Sequence, residues 1–194
     1  MKKTIIFLHG LGSSGSTQTA NYLRSKLTGV EIISPDIPLY PEVALRELNK
    51  LCHEINPDII IGTSMGAMYA QQMHGFKKIL VNPAFHVSEI MRQNIGVNKF
   101  NNPRKNGETE YEITETLCSD YEIMECSQFD GITAYDKNHT YAFFGTEDNI
   151  VNGYEEYLKY YSNATLYPGG HSLQQKWVKA YVLPCILLLL DEND

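Results

Sequence analysis

The sequence of 194 residues lacks several features that mark specialised classes of protein. Its four cysteines show no C-x-x-C spacing, so we expect a reducing compartment and no disulfide framework. Its Lys and Arg residues form no cluster and its formal net charge is −7, which argues against a nucleic-acid or anionic-membrane partner. No histidines or acids have metal-ligand spacing such as H-E-x-x-H. We therefore expect no metal, no cofactor and no nucleic-acid partner.

Long apolar runs are also missing. The run Ile5–Leu8 is too short for a signal peptide, and the run Leu183–Leu190 is too short to span a bilayer. We therefore expect a cytoplasmic protein without a membrane span. The length, with 43% apolar and 20% charged residues, suits one domain over residues 1–194. The composition leaves the oligomeric state open.

Short β-branched runs alternate with helical patterns through most of the chain. The predicted strands are Thr4–Leu8, Val30–Ile33, Asp58–Ile61, Lys78–Val81, Tyr141–Phe144 and Ala164–Tyr167. Apolar residues at helical spacing follow several of them, for example over Val43–Ile55. This alternation predicts an α/β fold with a mostly parallel sheet and helices on both faces. In such sheets the active site lies beyond the carboxyl ends of the strands.

One segment, residues 85–138, breaks this alternation. It contains no clear strand and is polar over residues 94–112, whereas Glu89–Met91 and Cys118–Phe129 look helical. An insertion of this length is usually functional or carries its own helices. We predict a helical cap over the sheet edge; the alternative is a peripheral excursion that contacts no substrate. The apolar side chains of this segment either line an acyl pocket or form the core of the cap.

A G-x-S-x-G motif stands at residues 62–66, after a predicted strand and before a run of good helix formers. In this context the motif is typical of the nucleophile elbow of α/β-hydrolases, in which Ser64 is held in a strained backbone conformation. Gly62 and Gly66 suit so sharp a turn because they carry no side chain. The simpler alternative is a helix-starting loop in which Ser and Thr act as N-caps.

A serine hydroxyl is a poor nucleophile at neutral pH, so it needs a base and a group that orients the base. In α/β-hydrolases these follow in the order serine, acid, histidine. Asp148 lies in the loop after the fifth predicted strand, and its neighbour Glu147 is the alternative acid. His171 lies in a glycine-rich loop after the last predicted strand. We predict Ser64, Asp148 and His171 as the catalytic residues.

Two backbone amides are candidates for an oxyanion hole. Met65 follows the nucleophile, and Leu11 follows a strand that ends in His9 and a glycine. We expect His9 to brace this loop rather than to titrate in catalysis. His86 follows the fourth predicted strand and is a candidate for lining the substrate pocket; the alternative is a place outside it.

A second glycine motif competes with this interpretation. Residues 10–15 fit G-x-G-x-x-G, after a strand and before a helix, as in a dinucleotide site. Glu31 and Asp36 lie near the distance expected of a ribose-binding acid. A Rossmann-like nucleotide-binding protein is therefore an alternative function. It leaves the three predicted catalytic residues without a role.

Together the motifs resemble the small bacterial esterases of the YqiA/YcfP type. The resemblance rests on His9-Gly10-Leu11 with Ser13-Ser14, Gly62-Thr63-Ser64-Met65-Gly66, Asn82-Pro83-Ala84, Gly145-Thr146-Glu147-Asp148 and Gly169-Gly170-His171. It implies an α/β-hydrolase fold, with Ser64, Asp148 and His171 as the triad and a carboxylic ester or thioester as the small-molecule substrate. A hydrolase-fold binding protein that has lost its activity is a further alternative.

Overall fold

A computed structural model describes residues 2–192 of the protein, in which strands and helices alternate. The strands are β1 Thr4–Leu8, β2 Glu31–Ile33, β3 Ile59–Thr63, β4 Lys78–Val81, β5 Gly96–Lys99, β6 Glu110–Ile113, β7 Thr140–Gly145 and β8 Asn163–Tyr167. The helices are α1 Gln18–Lys26, α2 Pro41–Ile55, α3 Met65–Gln71, α4 Val87–Arg92, α5 Glu115–Glu125, α6 Ala134–His139, α7 Tyr154–Tyr157, α8 Gln175–Trp177 and α9 Leu183–Asp191, with a π-helical stretch over Val178–Val182.

Six of the strands form one parallel sheet in the order β2-β1-β3-β4-β7-β8. Ile6 and Leu8 of β1 point into one apolar cluster with α2 and α3, whereas Ile5 and Phe7 point into a second cluster with α1 and α9. A sheet that is covered on both faces has strands that are apolar throughout, which is why the strand runs are so clear in the sequence. The predicted α/β-hydrolase fold, with helices on both faces, is confirmed.

All six predicted strands are present, and none of their ends differs from the prediction by more than two residues. Counted along the chain, the order in this sheet is 2-1-3-4-5-6. The Rossmann fold has the order 3-2-1-4-5-6. The strand order therefore differs from that of the Rossmann dinucleotide-binding fold.

The expectation that residues 85–138 contain no strand is wrong. β5 and β6 form an antiparallel two-stranded ribbon within this segment. β6 alternates charged and apolar side chains, as a half-buried strand does, but it is only four residues long. Ile113 of β6 is buried, whereas Val97 of β5 is 68% exposed. The insertion thus combines helices with a β-ribbon and is not wholly helical.

Tyr121 of α5 fastens the insertion to α3 and to the loop before α2. Its buried hydroxyl donates to the carbonyl of Leu39 at 3.0 Å and accepts from the hydroxyl of Tyr69 on α3 at 2.9 Å. At the amino-terminal end of β4, Asp136 of α6 pairs with the buried Nζ of Lys78 at 2.6 Å. The insertion is therefore held by buried polar contacts in α5 and in α6.

The last helix, α9, packs against the sheet through Ile186 and Leu189. Among the helices of residues 2–192, none has the length and apolar composition needed to cross a membrane. Within residues 2–192 the four cysteines are free thiols.

Candidate active site

Ser64 stands at a strained turn between β3 and α3. Its φ of 54° and ψ of −122° are sparsely populated by residues with a side chain. A Cβ at Gly62 would lie 2.3 Å from the carbonyl oxygen of Gly66, and one at Gly66 would lie 2.2 Å from that of Leu8. Both distances are impossible for real atoms, so only glycine allows this turn. The turn lifts the Ser64 hydroxyl clear of the sheet edge.

The structure brings Ser64, His171 and Asp148 together from three loops. The Oγ of Ser64 lies 2.9 Å from Nε2 of His171, and Nδ1 of His171 lies 2.8 Å from Oδ2 of Asp148. An ionised carboxylate only accepts hydrogen bonds, so Nδ1 carries the proton and Nε2 is free to accept from the serine. Glu147 is exposed and does not contact His171.

The carboxylate of Asp148 is kept ionised. Burial raises its pKa, but hydrogen bonds from His171 and from the amides of Ile150 and Val151 outweigh burial and hold the pKa below its ordinary value. Only 3% of its side chain is exposed. The negative charge therefore sits behind the imidazole rather than in contact with solvent.

The two predicted oxyanion donors keep their amides free. Met65 is the first residue of α3, so its N–H has no partner one turn earlier. Within residues 2–192, neither its amide nor that of Leu11 donates a hydrogen bond. A Cβ at Gly10, the residue before Leu11, would lie 3.7 Å from Oγ of Ser64. The loop of Leu11 thus runs directly beside the nucleophile, and the role of the two amides stays a prediction.

His9 braces this loop, as we expect from the sequence. It is buried, and burial lowers its pKa to about 4, so the ring is neutral at physiological pH. Nδ1 donates to the carbonyl of Gly10 at 2.8 Å, and Nε2 accepts from the amide of Ile37 at 3.0 Å. The ring therefore ties the Leu11 loop to the loop after β2.

The glycine motif at residues 10–15 has a structural reason. The amides of Gly15 and Lys105 both donate to the carboxylate of Asp36, at 2.7 Å each. A Cβ at Gly15 would lie 2.1 Å from the carbonyl oxygen of Ser34. The carboxylate proposed to bind ribose is therefore occupied by backbone amides, and the glycine permits close packing of two loops.

Asn82, at the end of β4, connects the loops of Asp148 and His171. Its Oδ1 accepts from the amide of Gly145 at 2.8 Å. Its Nδ2 donates to the carbonyls of Gly170 and His171 at 3.1 and 3.0 Å, and to the hydroxyl of Tyr167 at 2.9 Å. Asn82 is buried and has a left-handed φ of 45°, which Asn tolerates better than most residues. We conclude that its side chain sets the position of His171.

A cavity of about 470 Å³, here the Ser64 cavity, opens above the Ser64 side chain. Ser64, Leu11 and His171 line it. His86 does not: it lies at a separate cavity of about 220 Å³, where Nε2 is 2.8 Å from Oε2 of Glu156. The structure thus does not bring His86 together with the nucleophile.

Some apolar residues of the insertion reach the Ser64 cavity, and others form the core. Ile90, Tyr111 and Ile113 line the cavity. Others, among them Phe85, Met91, Tyr121 and Met124, are buried and do not line it. The sequence left both roles open, and the structure divides the residues between them.

A second cavity of about 570 Å³, here the Arg104 cavity, adjoins the first. Leu11, Ser13 and Tyr111 line both cavities and separate them. The charged side chains that line the Arg104 cavity are Asp36, Glu47, Arg104, Lys105, Glu108 and Glu110. Its lining therefore contains many more charged side chains than the lining of the Ser64 cavity.

The loop between β5 and β6 ties the insertion to the Leu11 loop. The amide of Asn101 donates to the carbonyl of Gly12 at 2.8 Å, and Nδ2 of Asn102 donates to Oγ of Ser13 at 2.9 Å. The hydroxyl of Tyr111 would be only 2.8 Å from a Cβ at Gly12, whose φ is +69°. Glycine is thus required there both by conformation and by the close approach of the ribbon.

Within residues 2–192, no group of three His, Cys, Asp or Glu side chains is arranged to hold a metal ion. The site residues that sequence reasoning missed are Asn82 as a link between loops and the polar side chains of the β-ribbon. Asn82 follows a strand and precedes a proline, a context that points to a turn but not to its partners.

One protein family matches most of the chain. A family model described as "Uncharacterised protein family (UPF0227)" matches residues 4–175, which span the three loops of the site.

Solved structures of α/β-hydrolase fold are similar over nearly the whole chain. Est1E from Butyrivibrio proteoclasticus is 16% identical with a TM-score of 0.62, covering 99% of this chain and 90% of its own. A soluble variant of monoglyceride lipase from Saccharomyces cerevisiae, in complex with a substrate analog, is 12% identical with a TM-score of 0.65, covering 97% and 86%. Human thioesterase 2 is 15% identical with a TM-score of 0.56, covering 100% of both chains. At these identities the likeness shows the fold.

Proposed function

The chain belongs to the uncharacterised protein family UPF0227, the family of the YqiA/YcfP-type proteins that its motifs resemble, and we propose that it is a serine hydrolase of carboxylic esters or thioesters. One observation carries the proposal: Asp148, His171 and Ser64 form a chain of two hydrogen bonds, of 2.8 and 2.9 Å. The similar fold of a monoglyceride lipase and a thioesterase supports the same chemistry.

In the proposed reaction, Oγ of Ser64 attacks the carbonyl carbon while Nε2 of His171 takes the hydroxyl proton. Asp148 accepts from Nδ1 and stabilises the imidazolium that forms. The amides of Leu11 and Met65 donate to the oxyanion, and the amino-terminal end of α3 adds its positive dipole. His171 then gives its proton to the leaving alcohol or thiol, and an acyl-enzyme remains.

Water completes the cycle. His171 takes a proton from a water molecule, and the hydroxide attacks the acyl carbon. When the second tetrahedral intermediate collapses, the bond to Ser64 breaks, the carboxylic acid leaves and the proton returns to Oγ. No step needs a metal or an organic cofactor. A cytoplasmic location and the absence of a nucleic-acid partner stay predictions from the sequence.

The test compares wild-type protein with Ser64→Ala and a matched Ser119→Ala control on p-nitrophenyl butyrate. Ser119 lies on the exposed face of α5, and its hydroxyl donates only to the carbonyl of Glu115. We expect Ser64→Ala to lower kcat by about 10⁴- to 10⁶-fold. Ser119→Ala should retain wild-type activity. Full activity of Ser64→Ala would contradict the proposal.

Two further measurements separate the alternatives. A fluorophosphonate probe should label wild-type protein at Ser64; folded protein that stays unlabelled would instead be an inactive binding protein. A nicotinamide or flavin nucleotide should leave the melting temperature unchanged, because only a ligand that binds the folded protein raises it. A rise would favour the nucleotide-binding alternative.

A further inference from the structure

The Ser64 cavity is uncharged. Within residues 2–192, no Asp, Glu, Lys or Arg side chain lines it, although 20% of the chain's residues are charged. His171 and Tyr111 are its titratable side chains. A charged ligand would lose its hydration there without gaining a partner of opposite charge. The lining therefore favours a neutral ligand.

Part of the cavity lining is apolar. It includes Val87 and Ile90 of α4, Ile113 of β6 and Ile150 of the loop after β7. Aliphatic side chains of this kind bind the hydrocarbon part of a ligand, since contact removes apolar surface from water. These side chains suit the acyl chain of an ester.

Other side chains that line the cavity are polar and uncharged. Gln18 of α1, Asn98 of β5, Asn101 and Ser172 supply amide and hydroxyl groups from four separate segments. Within residues 2–192, the side chains of Gln18, Asn101 and Ser172 form no hydrogen bond. Asn98 uses its Nδ2 on backbone carbonyls, which leaves its amide oxygen as an acceptor. This polar wall, as we name these four side chains, has donors and acceptors to spare.

We propose that the polar wall binds the alcohol half of the substrate, and that this alcohol is uncharged and rich in hydroxyl groups, as in a polyol or a sugar. The inference rests on the proposed function and narrows it to oxygen esters. Hydroxyl groups both donate and accept, as amides and serine do, so they pair with this wall without bringing charge.

The chemistry of such an ester balances at the same residues. Oγ of Ser64 bonds to the acyl carbon, and the bond from that carbon to the alcohol oxygen breaks. The proton that His171 took from Ser64 passes to this oxygen, so the polyol or sugar leaves as a neutral alcohol. Protonation matters here because an unactivated alcohol is a poor leaving group as an alkoxide.

The test measures kcat/KM for four butyrate esters with one acyl chain: glycerol 1-butyrate, glucose 6-butyrate, ethyl butyrate and carboxymethyl butyrate. We expect at least one hydroxylated ester to exceed ethyl butyrate about 10-fold, and carboxymethyl butyrate to fall about 10-fold below it. Preference for the glycerol ester identifies a polyol, and preference for the glucose ester a sugar.

Two results would overturn the inference. A carboxymethyl ester as good as the hydroxylated esters would show that charge is accepted, and an ethyl ester as good would show that hydroxyl groups are not recognised. Either result leaves the proposed function intact if p-nitrophenyl butyrate is still hydrolysed and Ser64→Ala is inactive. Folded protein that hydrolyses none of the esters would overturn the proposed function and the inference with it.

Variants of the polar wall locate the effect. Asn101→Leu and Gln18→Leu should each lower the ratio of kcat/KM between the preferred hydroxylated ester and ethyl butyrate by about 3- to 10-fold. Both side chains are exposed, so both variants should fold. Gln93→Leu is the matched control, since this exposed amide at the end of α4 lies outside the cavity. An equal fall of the ratio in the control would contradict the assignment.

Discussion

The Ser64 cavity and the Arg104 cavity share a wall of Leu11, Ser13 and Tyr111 but differ in charge. Three of the charged side chains of the Arg104 cavity have partners within the protein: Asp36 accepts from two backbone amides, and Arg104 lies 3.4 Å from Glu108. Arg104 also donates to the carbonyl of Ile37 at 3.1 Å, which joins the loop of the β-ribbon to the loop after β2. Within the ribbon loop, its guanidinium covers the ring of Phe100 at 4.7 Å.

In the Ser64 cavity, by contrast, the side chains of Gln18, Asn101 and Ser172 form no hydrogen bond within residues 2–192. Its one essential charge, the carboxylate of Asp148, lies behind His171 and outside the lining. This difference indicates that the two sides of the insertion have different roles. The insertion is fastened to the loop after β2 by hydrogen bonds of Arg104 and Asp36 on one side, and it offers a neutral surface to a ligand on the other.

The largest effect concerns the charge behind the Ser64 cavity. Asp148→Asn should lower kcat on p-nitrophenyl butyrate by about 10³- to 10⁴-fold, because an amide in this place stabilises the wrong imidazole tautomer. Glu147→Gln is the matched control, since Glu147 is an exposed neighbour, and should change kcat by no more than about twofold. Comparable losses in both variants would contradict the assignment of the acid.

Asn82→Ala should have the next largest effect, because it frees the loop that carries His171. We expect kcat to fall about 10- to 100-fold with little change in KM, as a misplaced base slows the chemical step more than binding. The unpaired amide of Gly145 should also lower the free energy of unfolding by about 1–3 kcal/mol.

Tyr167→Phe provides the control for Asn82→Ala. It removes one partner of the Asn82 amide and keeps the two carbonyl contacts, so kcat should fall by about threefold or less. A variant Asn82→Ala that is less stable but has wild-type kcat and an unchanged pH profile would reduce Asn82 to a purely structural residue.

A matched pair of substitutions tests the contrast in charge directly. Asn98→Asp puts a carboxylate in the Ser64 cavity, and Asn106→Asp puts one in the Arg104 cavity. The first should lower kcat/KM on p-nitrophenyl butyrate about 10-fold, because a nearby negative charge costs the developing oxyanion roughly 1–2 kcal/mol. The second should change it by about twofold or less.

The dependence of kcat/KM on salt concentration distinguishes this electrostatic effect of Asn98→Asp from a change in the shape of the cavity. The deficit of Asn98→Asp should shrink at about 0.5 M salt, where charges in contact with solvent are screened. Equal deficits in the two variants, or a deficit that salt does not alter, would break the comparison between the cavities.

The smallest effect on activity is expected for Asp36→Asn, in the Arg104 cavity. Burial raises the pKa of Asp36, but hydrogen bonds from the amides of Gly15 and Lys105 outweigh it and hold the pKa below its ordinary value. The variant should keep kcat within about twofold, while its free energy of unfolding at pH 7 falls by about 1 kcal/mol.

The difference in the free energy of unfolding between wild type and Asp36→Asn should depend on pH, because the folded protein lowers the pKa of Asp36. The stability that the Asp36 carboxylate contributes is present above the pKa of about 3.9 in the unfolded chain, and it is lost as the pH falls through the lower folded value. Urea unfolding at pH 7, 5 and 3 should therefore show the gap between wild type and variant closing below about pH 4. A difference in the free energy of unfolding that grows as the pH falls would contradict the role of the Asp36 carboxylate.

Much of the sheet was predictable because its strands are buried on both faces. Runs such as Ile59–Ile61 admit few other structures, and the G-x-S-x-G motif marks where the chain must turn sharply. The β-ribbon escaped prediction because it is short, polar and half exposed. Its apolar–polar alternation carries little information without the partner strand.

The sequence by itself determined the α/β architecture and the three loops that carry Ser64, Asp148 and His171, since burial and backbone sterics act through neighbours along the chain. Only the tertiary structure decided that Asn82 reaches the histidine loop, that His86 stands apart and that the cavity above Ser64 is neutral. These features depend on residues that are distant along the chain, and their distances and orientations arise only when the sheet and the insertion pack together.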